Sequence, residues 1–385
     1  MKKICIDARM INNAGIGTYL KSLIINLSKK NTEKECFENS KKENFKIFLI
    51  VNSKDKEKKL DVDILNSKDF ELIFLDAPIY SIKEQILLPF KIPKCDLFFS
   101  PHFNVPIFPI RAKKRMVTIH DVYHLAFFSK LKFLEKIYAK FLIRKAALQS
   151  DKVLTVSNFS ASEILKYTKA KSDKIEVIYN ALNPIFLKKE KNQKNLEKKK
   201  KAKEDQLKLP KKYFLFVGSL KTHKNLINLI KAYEKLEKEY PEIELVIVGK
   251  NKNLKNSIDI FEILDKNKIK IISDLKDEDL PHIYKNAISL VFPSFYEGFG
   301  YPPLEAMSQK CPVIASNRAS IPEVCLDAAL YIEPQEYNTI FNAMKKIIED
   351  KDFRKDLIQK GVKRVKYFTN ENFIEKHLEQ IKKLL

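Results

Sequence analysis

The stretch that most constrains this chain is Val291–Ala315, VFPSFYEGFGYPPLEAMSQKCPVIA. It opens as a short apolar strand, Ser289–Phe292, which breaks at Pro293. Glu297, Gly298, Gly300 and the Pro302-Pro303 pair follow, and then a helical pattern. Proline in a first helical turn costs little, because the N–H groups there have no intrahelical partner. The spacing therefore predicts a helix starting near Pro302–Pro303, with its N-terminus aimed back at the glycine loop. Such an end carries free N–H groups and about half a positive charge, so it can receive an anion. Gly298 and Gly300 let the backbone approach a ligand with no Cβ in the way. Glu305 is expected in the first turn of the helix, with Glu297 in the loop before it. The chain has only 7 glycines, and this short loop takes two of them. The same residues also fit an ordinary strand–turn–helix, so the loop alone leaves both readings open.

A chain of 385 residues is too long for one compact core, which points to two domains. No apolar run approaches the ~20 residues of a membrane span. The start, MKKICIDARM, puts Asp7 and Arg9 where a secretory signal needs an apolar core, so no such signal is expected. Cys5, Cys36, Cys95, Cys311 and Cys325 are scattered and never in CxxC spacing, which fits reduced thiols better than a disulfide framework or a zinc site. The net charge of +23 favours acidic partners: nucleic acid, an anionic membrane or phosphorylated ligands. It also fits lysines spread over solvated faces. None of the common nucleic-acid-binding motifs occurs.

Lys3–Ala8 reads as a first strand. It runs into Gly15-Ile16-Gly17 and then a helix from Tyr19 to about Leu27. Strand, glycine loop and helix make the opening unit of a Rossmann-like half, although the dinucleotide fingerprint lacks its third glycine. Phe45–Asn52, Glu71–Leu75 and Asp96–Ser100 are further strands. Met116–His120 is another, and its carboxyl end delivers His120 and Asp121, at the edge where doubly wound sheets bind ligands. Leu131–Ser150 is helical. Leu134, Ile137, Tyr138, Phe141 and Leu142 lie on one side, and Lys132, Lys136, Lys140, Arg144 and Lys145 on the other. That pattern suits a helix packed on a core with a solvated basic face, or one lying on an anionic membrane. Val153–Ser157 and Ile175–Tyr179 complete this half.

Lys188–Lys212, dominated by Lys, Glu, Asn and Gln, cannot bury enough apolar area to order itself and reads as a linker. After it the same grammar restarts. Tyr213–Val217 is a strand, Gly218-Ser219-Leu220 a turn, and Lys224 stands before a helix containing Leu226, Leu229, Ile230 and Tyr233. A lysine at a helix N-terminus can clamp a phosphate, or can be a solvated lysine among many. Glu244–Val248, Ile269–Ile272 and Pro312–Ala315 are later strands. Asn370–Leu385 is a final amphipathic helix.

VGSLKTHKNLINLI, EGFGYPPLEAM and NRASIPEV, in that order, resemble the signature segments of the retaining family 4 glycosyltransferases, also called glycosyl transferases group 1. GIGTYLKSL, TIHDVYHL, TVSNFSASEIL and VIYNAL resemble their N-terminal domain. The likeness runs from about residue 1 to 365. Its most specific part is the Glu297-x7-Glu305 segment. Within the family the chain is similar to bacterial mannosyl- and rhamnosyltransferases of surface-polysaccharide assembly.

The resemblance implies an α/β protein of the GT-B fold, with two Rossmann-like domains facing across a cleft. Residues 1–187 would form the acceptor-binding domain, 188–212 the linker and 213–365 the nucleotide-sugar-binding domain, with 366–385 a helix crossing back to the first domain. Lys224 would contact the donor diphosphate, near Gly218 and Ser219. Many members carry arginine where this chain has Ser219, so Lys224 and the helix near Pro302 would carry more of that charge. Glu297 would hold the donor sugar hydroxyls, beside Gly298 and the N–H groups of Phe299, Gly300 and Tyr301. Glu305 would hold the ribose, and Leu275 would offer its backbone to the base. Gly15 and Gly17 would approach the donor phosphate from the other domain, and His120 would sit at the reacting centre.

No metal or cofactor is expected, the nucleotide sugar being a substrate. The first-choice donor is GDP-mannose and the acceptor a lipid-linked glycan, with no nucleic-acid partner. The expected place is the cytoplasm, with an anionic inner-membrane surface as a further contact. UDP- or dTDP-sugar transfer, a nucleotide-sugar epimerase and a noncatalytic basic membrane- or polymer-binding protein remain the alternatives.

Overall fold

The computed structural model describes residues 1–13, 15–32, 45–54, 70–127, 133–187, 207–249, 268–273 and 275–385, with 30–32 and 133–136 described by backbone only. Most of the expected linker therefore lies outside the described residues, as does Cys36. The chain divides into two compact units. One comprises Met1–Ala181 with Phe368–Leu385, the other Leu182–Tyr367. The second unit thus takes in residues 182–187, which the sequence reading gave to the first domain.

The first unit holds a seven-stranded parallel sheet in the order β3-β2-β1-β4-β5-β6-β7. Its strands are β1 (Lys2–Asp7), β2 (Phe45–Val51), β3 (Phe70–Phe74), β4 (Cys95–Ser100), β5 (Ala112–Thr118), β6 (Lys152–Thr155) and β7 (Ile175–Val177). Ile4, Cys5 and Ile6 are all fully buried, because a parallel strand covered on both faces must be apolar on both. Successive residues serve opposite faces. Ile4, Ile6, Ile47, Leu49, Leu97 and Phe99 join one core, under Leu20, Leu23, Ile24 and Leu27 of the Ile16–Thr32 helix. The final helix, Asn370–Leu384, packs into that same core through Phe373, Ile374 and Ile381, and Ser22 Oγ donates to Asn370 Oδ1 at 2.6 Å. Cys5, Phe48, Ile50 and Phe98 serve the other face, under Leu88 and Ile92 of the Ile82–Lys91 helix region.

Two local expectations are corrected. The first helix begins at Ile16 rather than Tyr19, so Gly17 lies inside its first turn and only Gly15, at φ +71°, remains in the loop. A Cβ at Gly17 would collide with the Ile11 carbonyl oxygen, so glycine is needed there for close approach rather than for its dihedral freedom. The second correction concerns the Phe133–Gln149 helix. Its buried face is Ala139, Leu142, Ile143, Ala146 and Ala147, whereas Ile137 and Phe141 are about half exposed (51% and 49%). The alanines let the helix lie close to the sheet, and the bulkier apolar side chains are left outside.

The second unit holds a six-stranded parallel sheet in the order β10-β9-β8-β11-β12-β13. Its strands are β8 (Tyr213–Val217), β9 (Glu244–Val248), β10 (Ile269–Ile272), β11 (Ser289–Phe292), β12 (Val313–Ser316) and β13 (Leu330–Ile332). Counted within each unit, both sheets run 3-2-1-4-5-6, and the first adds a seventh strand after the sixth. That is the doubly wound order, in which ligands bind beyond the strand carboxyl ends where the winding reverses. The reversal lies between β1 and β4 in the first unit and between β8 and β11 in the second.

Candidate active site

In the second unit the two loops flanking the reversal are those singled out in the sequence. The loop after β8 passes Gly218 and Ser219 and closes in a 3₁₀ turn, Thr222–Lys224. Asn225, at φ +59°, then turns the chain into the Leu226–Glu239 helix. Its side-chain amide donates to the carbonyls of Pro293 (3.1 Å) and Pro334 (2.6 Å). The Phe295 N–H donates to the His223 carbonyl at 2.8 Å, tying this loop to the one after β11. Ser320, in the segment beyond β12, donates to the carbonyls of Glu297 (2.9 Å) and Phe299 (2.8 Å). The loop is thus held by its backbone, which leaves the Glu297 side chain to act.

That side chain meets Lys224. Nζ of Lys224 lies 2.5 Å from Oε1 of Glu297, with both side chains mostly buried, and 5.5 Å from the centre of the Phe292 ring. An ammonium has three donors, and Glu297 takes one. Gly300 adopts φ +110°, and the Tyr301–Ser308 helix starts directly after it, with proline in its first turn. Gly298, Phe299 and Gly300 are buried.

Glu305 stands elsewhere than expected. It falls in the second turn of the helix, half-buried, where the Tyr284 hydroxyl donates to its Oε2 at 2.7 Å. Burial pushes its carboxyl up to about 7; the Tyr284 bond pulls the other way, and Asp277 adds to the rise. Leu275 lies half-buried just before the Asp277–Asp279 turn.

In the first unit Gly15 and Gly17 follow β1, at the reversal, and His120 lies two residues beyond β5. His120 Nε2 is 3.0 Å from the Pro101 carbonyl oxygen. A carbonyl only accepts, so Nε2 carries the proton and Nδ1 is left as an acceptor. Burial lowers the pKa of this ring, so it is held neutral.

Sequence reasoning missed two clusters in this unit. In the first, Arg9 is buried between Asp7 (2.6 Å) and Glu84 (2.5 Å), and Asn104 donates to Glu84 at 2.7 Å. Burial opposes the Arg9 charge, but the two carboxylates outweigh it and raise its pKa. In the second, the Tyr19 hydroxyl lies 2.6 Å from His377 Nε2 and 2.8 Å from Thr118 Oγ1, and the Tyr19 ring meets His120 edge-on at 4.9 Å. Residues 358 positions apart meet there, and no local pattern could have signalled it. Among the described residues no group of three or more His, Cys, Asp or Glu side chains is placed to hold a metal ion.

Residues 197–364 match the family model of glycosyl transferases group 1, and residues 15–185 match that of glycosyltransferase family 4. An O-antigen chain mannosyltransferase of Salmonella typhimurium, RfbU, is 30% identical over 270 residues, spanning 70% of this chain and 69% of the relative. The chain belongs to the glycosyl transferases group 1. This glycosyltransferase is also similar in fold to sucrose-phosphate synthase of Thermosynechococcus elongatus (TM-score 0.76, 18% identity, 100% of this chain and 99% of that one). Anabaena HepE in complex with UDP-glucose gives TM-score 0.76 at 15% identity, covering 100% of both chains. The two Rossmann-like units are those of the GT-B fold.

Proposed function

We propose that this glycosyltransferase moves mannose from GDP-mannose, with retention of anomeric configuration, to a lipid-linked glycan of a bacterial surface polysaccharide such as O-antigen or capsule. The observation that carries this reading is the Lys224–Glu297 pair at 2.5 Å, beside the N-terminus of the Tyr301–Ser308 helix and at the winding reversal of the second sheet. The name of the Salmonella relative supports mannose and O-antigen. The bound UDP-glucose of the Anabaena neighbour supports a nucleotide-sugar donor.

In this reading Lys224 and the backbone N–H groups of Phe299, Gly300 and Tyr301 take the diphosphate, whose charge grows as the glycosidic bond breaks. Preorganised donors aimed at developing charge are worth about 10²–10³-fold each. This supply serves without a metal. Glu297, positioned by Lys224, accepts from the donor sugar hydroxyls. Glu305 accepts from the ribose, and Leu275 offers its backbone to the base. Gly218 and Ser219 approach the diphosphate, and Gly15 and Gly17 are the first unit's candidates for a donor phosphate. His120 Nδ1 is the acceptor at the reacting centre. The departing phosphate takes the acceptor hydroxyl's proton on the face it leaves. Four described cysteines, all free, fit a reducing cytoplasm.

The test is a panel of labelled GDP-, UDP- and dTDP-sugars with lipid-linked acceptor, followed by NMR of the product linkage. Mannose transfer from GDP-mannose with the donor's anomeric configuration is expected. Consumption of UDP- or dTDP-sugars alone would remove the donor assignment, and an inverted product would remove retention. Donor turnover without acceptor would make the protein an epimerase. Unchanged function in Glu297→Gln and Lys224→Ala would make it a noncatalytic binder.

A further inference from the structure

Among the described residues, one face of the first unit gathers most of that unit's exposed large apolar side chains. The Ile82–Lys91 and Phe133–Gln149 helices lie on the same side of the sheet. The first covers Cys5, Phe48 and Phe98, and the second covers Val117 and Val153. The register pairs Cys5 with Phe48 and Phe98, and Ser100 with Val117, which puts these residues on one face. The helices are neighbours there, with the Tyr80 and Tyr138 rings 6.4 Å apart.

Each helix turns large apolar side chains outward. Ile82 is 81% and Phe90 76% exposed, with Ile86 between them at a four-residue interval. Ile137, Phe141 and Leu148 form a second outward stripe, each about half exposed, along an open groove of about 580 Å³. Scattered exposed leucines are ordinary, but two adjacent stripes are not. Among the described side chains, the exposed charges on these two helices have one sign. Lys83, Lys91, Lys140, Arg144 and Lys145 stand on these helices, and no acidic residue is exposed on Ile82–Lys91 or on the described side chains of Phe133–Gln149. Among the described residues, the Ile16–Thr32 and Asn370–Leu384 helices on the opposite face contribute none of the exposed large apolar side chains.

We propose that this face docks on the surface of an anionic phospholipid bilayer. Ile82, Ile86 and Phe90 would enter the headgroup–acyl boundary, the Phe133–Gln149 stripe would lie beside them, and the flanking cations would meet lipid phosphates. Helices that lie in a membrane interface combine such an apolar stripe with Lys and Arg at its edges. Among the described residues no helix is long and apolar enough to cross a membrane, so attachment by these helices is to one leaflet. The inference stands apart from the reading of the sugar site.

The chain contains no tryptophan, so Phe90→Trp gives a single reporter on this face, and Ile227→Trp gives one at an exposed position in the second unit. Each variant is mixed with vesicles of phosphatidylcholine alone and of phosphatidylcholine with phosphatidylglycerol, in ~0.1 M salt. The expected result is a blue-shifted indole emission from the Phe90→Trp variant with anionic vesicles only, and no shift from the Ile227→Trp variant. Adding Ile82→Ser to the Phe90→Trp variant is expected to weaken partition about tenfold or more. Lys83→Gln or Lys91→Gln is expected to weaken it about fivefold each. No shift of the Phe90→Trp variant on anionic vesicles overturns the proposal. So does an equal shift in the Ile227→Trp variant, which would mean adsorption by net charge. So does a shift that grows with protein concentration without vesicles, which would mean that a second copy covers the face. Neither donor nor acceptor is present, so failure here leaves the sugar-transfer reading untouched, and the reverse.

Discussion

Replacing Glu305 with glutamine is expected to stabilise this protein in a pH-dependent way while damaging its function. Burial raises the Glu305 carboxyl from an ordinary 4.5 to about 7. The folded state then binds the proton more tightly than the unfolded chain does. Stability from this group is fully present below about 4.5, falls as the pH rises, and levels off above about 7. The gap of about 2.5 in pKa, at 1.36 kcal/mol each, is an upper bound of about 3–4 kcal/mol lost at high pH. At pH 5 about 1 kcal/mol of that is already lost, so the loss between pH 5 and pH 8 is about 2–3 kcal/mol. Glu305→Gln keeps an oxygen for the Tyr284 hydroxyl and never ionises. Its advantage over the native protein should therefore grow by about 2–3 kcal/mol between pH 5 and pH 8. For a unit of this size that is roughly 5–10 °C in melting temperature. Circular dichroism melts of both proteins at the two pH values, without ligand, read the difference. Donor KM at pH 8 should rise in the variant, because a carboxylate that accepts from ribose hydroxyls is gone. If the two proteins differ by the same amount at both pH values, the buried-carboxylate argument is wrong.

Lys224→Met removes the cation facing Glu297, and kcat/KM for the donor should fall about 10²–10³-fold; a change under threefold would remove Lys224 from the site. Gly17→Ala drives a methyl into the Ile11 carbonyl, so unfolding in urea should show a loss of about 1–3 kcal/mol, accompanied by weaker donor binding. Arg9→Met strands Asp7 and Glu84 in the interior, and urea unfolding should show a loss of about 3–5 kcal/mol. A loss below 1 kcal/mol would mean that the carboxylates take up protons or water instead.

The fold was legible because its grammar is local. Each strand is a short apolar run and each crossover a glycine or proline turn followed by a 3.6-residue period, so the order of elements, the duplication and the family follow from neighbours along the chain. The loop around Glu297 was legible for the same reason: Gly298, Gly300 and Pro302 mark a turn into a helix wherever they stand in that order. What the sequence could not settle involves distance or depth. Lys224 and Glu297 are 73 positions apart, and only the placing of β8 beside β11 brings them to 2.5 Å. Glu305 looked like a first-turn carboxylate beside an anion site. One further turn of helix puts it against Tyr284, where desolvation rather than helix charge governs its proton. Periodicity showed that the Phe133–Gln149 helix is two-sided. Which side goes in was decided by the closeness of the sheet, which admits alanine and leaves Ile137 and Phe141 in water. The last helix belongs to the first unit because Phe373 and Ile374 complete a core that residues 4–181 leave open, a fact set by packing across nearly the whole chain.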